Sequence, residues 1–263
     1  AAHNITFIGP KAEHIEVMGD KIAAKQTVKA LGIPVVPGSD GAIHTLEEAQ
    51  ELASNMGYPV LVKAAAGGGG KGMRVVESEN EFESALASAK REALKGFGDD
   101  KMLIETYLAK PRHIEVQVFG DGKGKALALG ERDCSAQRRH QKVLEETPAP
   151  GIPDAVRTRL HETAVRLVEA VNYRNAGTVE FIYDAQAHDF WFLEVNTRLQ
   201  VEHGVTEQVY GVDLVEWMIK IAAGENQPLL EYKHCPKGHA LEVRVYAEDG
   251  GKNLISVSDK KNL

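Results

Sequence analysis

Two cysteines in 263 residues, Cys134 and Cys235, are too few for a disulfide framework and lack C-x-x-C spacing. The pair fits a reducing compartment, so the expected location is the cytoplasm or, for a chain stripped of a transit peptide, a mitochondrial matrix. No apolar run approaches the roughly 18 residues that a membrane span needs, and the opening AAHNITFIGPKAEH has neither the basic nor the apolar region of a signal peptide. Positive charge is in deficit: Lys and Arg total 31 against 38 Asp and Glu, a formal net charge of -7. That balance argues against a broad nucleic-acid or anionic-membrane surface and leaves room only for a local basic pocket. Internal repeats are missing, and neither H-E-x-x-H nor paired histidine spacing offers a zinc site. With 43% hydrophobic residues, the chain has enough apolar material to bury a sizeable core in one large domain or two smaller ones.

The periodicities alternate between helix and strand, which predicts an α+β fold. GDKIAAKQTVKALG (19 to 32) spaces Ile22, Lys25, Val28 and Leu31 as a helix ending at Gly32. Capping boxes at Thr45-x-x-Glu48 and Ser78-x-x-Glu81 open two further helices. YPVLVKAA, MRVV, KMLIETYL, RHIEVQVFGD and KALALGERDC read as strands, and DAVRTRLHETAVRLVEAVN as a long amphipathic helix. AGTVEFIYD and FWFLEVN flank a turn and make a hairpin. The helix GVDLVEWMIKIAAG and a last strand, HALEVRVYAED, complete the pattern. Soft boundaries near residues 40 and 110 divide the chain into a leading segment (1–38), a small helix-and-strand lobe (39–106) and a larger lobe (107–263).

VKAAAGGGGKGMRVV matches G-x-G-x-x-G from Gly67 to Gly72, but a strand follows where a dinucleotide site needs a helix. It fails as a Walker A loop as well, because Gly72 stands where a Ser or Thr should hold Mg²⁺. Strand, glycine loop, strand remains: a mobile flap whose bare amides, at Gly68, Gly69 and Gly70, approach phosphate oxygens unobstructed. Glu180 and Glu194 fall on successive strands, with Asn196 on the same face as Glu194, a set of hard oxygen ligands suited to Mg²⁺. NTRLQVEHG then places Asn196, Arg198, Gln200 and Glu202 at steps of two, and as an extended segment it lines a site. ERDCSAQRRHQK concentrates basic side chains in an acidic protein. Arg138 and Arg139 fit a solvated loop as well as a site, whereas Gln137, His140 and Lys142 favour anion or nucleotide contacts.

Taken together, GDKIAAKQTVKALGIPVVPGSDG, the glycine flap, PRHIEVQVFGDGKG, ERDCSAQRRHQKVLEETPAPG, FLEVNTRLQVEHGVTE and EVRVYAED closely resemble the biotin carboxylases of the ATP-grasp superfamily. The RRHQK and NTRLQVEH stretches mark that branch rather than ATP-grasp enzymes at large. The resemblance implies an ATP-grasp fold, with a small lid lobe on a larger mixed sheet. It implies Lys21 and Lys63 on the nucleotide phosphates, Glu105 and Leu108 at the adenine edge, and His113, Gln137 and His140 completing the pocket. Glu180, Glu194 and Asn196 would hold Mg²⁺ (or Mn²⁺). Lys142, Arg198, Gln200, Glu202 and Val201, the last through its backbone, would bind bicarbonate, and Arg244 would face biotin. The implied reaction is ATP- and bicarbonate-dependent carboxylation of biotin through carboxyphosphate, serving a biotin carrier domain and a carboxyltransferase, with a homodimer as the assembly. Such enzymes have a Rossmann-like domain before TFIGP and further strands after YAED, so a truncated piece is expected. Thr106 stands where a lysine is common and Gly204 where EHP is usual. Two alternatives stay open: a nucleotide-binding fragment or assembly module, and another ATP-grasp carboxylate ligase.

Overall fold

The protein is described by a computed structural model covering residues 5–66, 72–225, 229, 231–245, 248–249 and 255–256. It begins with a helix that the sequence pattern did not mark, α1 (Ala12–Gly19), followed by α2 (Lys21–Ala30). α2 starts at Asp20, whose carboxylate accepts from the N–H groups of Ile22 and Ala23 at 2.8 Å, satisfying two of the donors left open at a helix start.

The small lobe is an antiparallel sheet in the order β2 (Met73–Val76), β1 (Val60–Ala64), β3 (Met102–Thr106), covered by α3 (Leu46–Met56) and α4 (Glu79–Phe97). Its core runs from Ile43 to Ile104 and includes Val60, Val62, Phe82, Leu86 and Met102. β1 and β2 pair as the two arms of the glycine flap, Lys63 opposite Met73; the tip, residues 67–71 with Gly68, Gly69 and Gly70, lies outside the described residues. The two expected capping boxes differ. Thr45 Oγ1 accepts from Glu48 N at 3.1 Å, and Glu48 reaches one residue further back, to His44 N at 3.0 Å. The Ser78 hydroxyl makes no capping bond; its backbone carbonyl takes Glu81 N instead, so the second box is not formed.

The large lobe is a six-stranded antiparallel sheet in the order β8 (Asp189–Asn196), β7 (Arg174–Asp184), β4 (Arg112–Asp121), β5 (Ala126–Arg138), β6 (Gln141–Thr147), β9 (Ala240–Val243). One face carries Ile114, Val116, Val118, Val179 and Phe181, and packs on Val156, Leu160, Ala164 and Leu167 of α5 (Asp154–Ala170) and on Ala24 and Val28 of α2. At the far end of the opposite face, Phe119, Leu129 and Ala176 meet α6 (His203–Tyr210) and α7 (Leu214–Ala222). Two short pieces, β10 (Glu248–Asp249) and β11 (Ile255–Ser256), pair apart from both sheets.

The basic stretch forms the β5–β6 hairpin, with Arg138 at the end of β5 and the turn made by Arg139 and His140, both at positive φ (52° and 62°), the geometry of a tight turn that follows strand twist. Two expectations are corrected here. NTRLQVEHG is not extended: it bends after Asn196 and enters α6, so its alternation of polar residues does not report a strand. The last strand, expected over HALEVRVYAED, closes after Val243.

Residues 33–43 stitch the lobes together. Val35 bridges to Phe192 of the large sheet, whereas Gly38 and Ile43 bridge to Glu105 and Met102 of the small one. The backbones approach so closely at Gly38 that a Cβ there would lie 2.1 Å from the Ile104 carbonyl oxygen. No helix among the described residues is long and apolar enough to cross a membrane.

Candidate active site

Strand alternation builds the site. On β4 the side chains of Ile114, Val116 and Val118 enter the apolar core, so His113, Glu115 and Gln117 must face the other way. On β7 the same rule sends Thr178 and Glu180 to that face, and register pairing sets Glu115 beside Glu180, with Glu194 of β8 on its other side. From β5 and β6 come Arg132 and Lys142, and from the turn before α6 come Gln200 and Glu202, both buried.

Lys142 is the hub. Its Nζ bonds Glu115 Oε2 and lies 2.8 Å from both Glu180 Oε1 and Glu202 Oε1. Burial alone would lower the ammonium's pKa, but Glu115 and Glu180 outweigh it and push the pKa well above the usual lysine range. Burial works against the carboxylates too, and again loses: Arg132 and Lys142 hold Glu115 below its ordinary value, and His113 with Lys142 hold Glu180 far below. His113 Nε2 is 3.0 Å from Glu180 Oε2, an ion-pair contact whose N–H is not aligned on the oxygen. The same contact raises the His113 pKa against the effect of burial.

A second cation closes the far side. Arg244 donates through Nε to Glu145 Oε1 at 2.8 Å and through Nη2 to Glu202 Oε2 at 2.9 Å, so Glu202 sits between Lys142 and Arg244. Behind this layer the fully buried Arg132 bonds Glu115 Oε1 at 2.6 Å, Gln117 Oε1 and Thr206 Oγ1 at 2.8 Å, and Thr178 Oγ1 at 3.3 Å. Neither Glu115 nor Arg132 was singled out from the sequence. The alternation H-I-E-V-Q-V was the available signal for Glu115, since a carboxylate in step with buried neighbours on a central strand needs a partner.

Toward the small lobe an open cleft of about 220 Å³ is lined by Lys21, Glu194, Asn196 and Arg198. Lys21 has its pKa lowered by burial and by Lys63, and Glu105 bridges Lys63 (2.6 Å) and Lys25 (3.4 Å). Glu194 has its pKa raised by burial and then by the charge of Glu180. Glu180 and Glu194 are register partners across β7 and β8, and carboxylate oxygens are the hard donors that Mg²⁺ takes. Asn196 fits on one condition. Its Nδ2 donates to Glu180 Oε1 at 2.7 Å, so its oxygen serves as a ligand only when the amide turns over.

The remaining expected residues lie around this centre. Gln137 is exposed, its amide 3.2 Å from His113 Nδ1 and donating to Cys134 O. His140 is exposed on the hairpin turn, and Leu108 is half-buried just past β3. Arg198 is exposed, with Nη2 3.4 Å from Asn196 Oδ1, and the Val201 side chain is 63% exposed. Gln200 Nε2 lies 3.4 Å from Glu180 Oε1, and its Oε1 is buried without a protein partner.

A glycine hairpin lobe facing a six-stranded antiparallel sheet, with lysines and carboxylates converging between them, is the build of an ATP-grasp unit. The chain belongs to the family described as carbamoyl-phosphate synthase L chain, ATP binding domain, whose profile matches residues 20–230. Within it, the chain is 56% identical over 251 residues to the mitochondrial methylcrotonoyl-CoA carboxylase subunit alpha of Rattus norvegicus, covering 95% of this chain and 35% of that one. It is 51% identical over 245 residues to the biotin carboxylase of Halalkalibacterium halodurans, covering 93% of this chain and 54% of that one. It therefore spans about a third to a half of these relatives. A biotin carboxylase from Campylobacter jejuni, solved as a β-γ-ATP complex, superposes with a TM-score of 0.91 at 53% identity, over 96% of this chain and 56% of that one. The biotin carboxylase domain dimer of Hydrogenobacter thermophilus 2-oxoglutarate carboxylase, with MgADP, ADP and bicarbonate, gives 0.90 at 45% identity, over 97% and 56%.

Proposed function

We propose that this chain is the ATP-grasp portion of a biotin carboxylase, carboxylating biotin with ATP and bicarbonate. The observation that carries the reading is the buried cluster in which Lys142 meets Glu115, Glu180 and Glu202 while Arg244 meets Glu202 and Glu145. Such a cluster is costly to bury, which marks it as a functional site. Lys21 and Lys63 bind the nucleotide phosphates under the glycine hairpin of the small lobe (39–106), which acts as the lid. Glu105, Leu108, His113, Gln137 and His140 frame the base and ribose. Glu180, Glu194 and Asn196 would hold Mg²⁺, which when bound would draw charge from the phosphates.

Lys142, Arg198, Gln200 and the backbone of Val201 orient bicarbonate, and Glu202 takes its proton as its oxygen attacks the γ-phosphorus, expelling ADP. The carboxyphosphate so formed splits into CO₂ and phosphate. Phosphate then removes the biotin N1' proton, the nitrogen adds to CO₂, and Arg198 and Arg244 stabilise the negative charge on the ureido oxygen. The bicarbonate bound in the Hydrogenobacter dimer supports the small-anion site, and its dimeric state supports a homodimer here. The methylcrotonoyl-CoA carboxylase likeness supports a biotin carrier and a carboxyltransferase as partners, and a mitochondrial matrix or cytoplasmic setting.

The test is ADP release from Mg-ATP with free biotin, with and without bicarbonate. Stimulation requiring both is the expected result. ATP binding without stimulation would instead assign the chain as a nucleotide-binding portion that needs segments found in its longer relatives, a reading favoured by the partial span. Stimulation by an amine or amino acid in place of biotin would assign another carboxylate ligase.

A further inference from the structure

Lys25 has no part in the reaction above, yet among the described residues it is the one buried lysine, 7% exposed, on the inner face of α2. Its Nζ donates to the Ser39 carbonyl at 3.1 Å and lies 3.4 Å from Glu105 Oε1. The other oxygen of the same carboxylate, Oε2, is 2.6 Å from Lys63 Nζ. Glu105 is thus held from two sides, by a lysine of α2 and by a lysine of β1. Ser39 belongs to the connection between the lobes, and its hydroxyl accepts from Ile104 N at 3.2 Å, which fixes the Lys25 anchor against the strand bearing Glu105.

Lys63 is the lysine that the nucleotide reading assigns to phosphate, and in this structure it is engaged by Glu105. To serve an anion it must either leave Glu105 or divide its single positive charge between that carboxylate and the phosphate. Were Lys63 the sole counter-ion, either course would leave a carboxylate only 8% exposed without full neutralisation, which is unfavourable for a buried charge. Lys25 removes that penalty, because it stays on Glu105 whatever Lys63 does. We propose that Lys25 is a positioning residue, the standing counter-ion of Glu105 that releases Lys63 to the phosphates of a nucleoside triphosphate. The inference rests on the nucleotide site proposed above.

Calorimetric titration with Mg-ATP tests it on Lys25→Met, Lys25→Arg, Glu105→Gln and the Lys25→Met/Glu105→Gln pair. Lys25→Met is expected to weaken affinity about tenfold, and Lys25→Arg to stay within about threefold of the unsubstituted chain. In the Glu105→Gln background, where no carboxylate needs neutralising, the Lys25→Met loss should shrink to under about twofold. In turnover the ATP KM should rise while kcat changes less than about threefold. Lys25→Gln, which retains a donor for the Ser39 carbonyl, replaces Lys25→Met if the latter does not fold. Unchanged affinity in Lys25→Met, or the same loss in both backgrounds, would overturn the proposal. An unsubstituted chain that takes up no Mg-ATP would instead bring down the nucleotide reading itself, and this inference with it.

Discussion

The two faces of the large sheet are written by the same strands and differ by one residue of register. On β4 and β7, Ile114, Val116, Val179 and Phe181 face α5, while Glu115, Gln117, Thr178 and Glu180 face the cleft. The α5 face also buries an ion cluster: Glu131 accepts from Arg157 Nε at 2.8 Å and from Ala149 N at 3.1 Å, and lies 2.7 Å from His161 Nε2. Both faces therefore bury charge, but in different ways. Around Glu131 the donors come from α5 and its leading turn, a self-contained arrangement. Around Lys142, the donor, the acceptors come from β4, β7 and the turn into α6, and beyond them Glu194 and Arg198 line an open cleft. A closed cluster fixes a helix on a sheet; an open one is left with charge to share with a ligand.

The sharpest way to break this contrast is Lys142→Met. It strips the shared cation from Glu115, Glu180 and Glu202, and bicarbonate-dependent ADP release should fall by about 10²–10⁴, in the range of a lost electrostatic group. Stability should fall with it, and by less at pH 5 than at pH 8, because protonating one of the stranded carboxylates relieves their repulsion. Urea unfolding at the two pH values checks the second part; equal losses would mean that the cluster rearranges around a replacement cation.

On the other face, Phe181→Ala removes a ring packed edge-on against Phe190 at 5.3 Å and should cost about 3–5 kcal/mol. Mg-ATP affinity per folded molecule should stay unchanged, although Phe181 directly follows Glu180. A large affinity loss at full folding would show that the faces are mechanically coupled rather than separate.

Glu131→Gln probes the closed cluster through pH. Burial pushes this carboxyl up, but His161 and Arg157 outweigh it and hold its pKa below the ordinary value. A depressed carboxylate contributes stability that is full above its unfolded pKa, about 4.3, and is lost as pH falls through the lower folded value. The unsubstituted chain should therefore lose this contribution on acidification below about pH 4.3, and Glu131→Gln should show a shallower acid limb with about 1–3 kcal/mol less stability at pH 7. Thermal melts across pH 3–7 decide it; parallel curves would sink the assignment.

Much of this architecture was legible in the residues. The β7–β8 hairpin, the glycine-flap arms, α5 and the carboxylates Glu180 and Glu194 follow from alternation and turn chemistry, both of which are local. The parts that were not legible depend on distant residues. α1 is short and gave no period distinct enough to mark it. α6 was hidden because Arg198, Gln200 and Glu202 mimic strand alternation while the chain is bending. Ser78 shows the limit of a motif, since the residues of a capping box are present and the hydroxyl bond is not made. Arg132 could not be picked out, because its burial depends on acceptors supplied by three separate elements, β4, β7 and α6, and no local pattern records that.

The smallest expected effect tests how much of the open face is redundant. Arg132 bonds Thr178 Oγ1 at 3.3 Å and Thr206 Oγ1 at 2.8 Å, on strand and helix respectively. Thr178→Val keeps the β-branched shape and deletes the longer of the two bonds, so it should cost about 0.5–1 kcal/mol, below the range for a hydrogen bond to a charged donor because the 3.3 Å separation weakens it. Thr206→Val deletes the shorter bond and should cost about 1.5–3 kcal/mol. Neither should move Mg-ATP affinity by more than about twofold if Arg132 acts only as the backing for Glu115. A Thr178→Val loss as large as that of Thr206→Val would mean that the guanidinium sits in a network whose bonds strengthen one another, and that the open face is as tightly specified as the closed one.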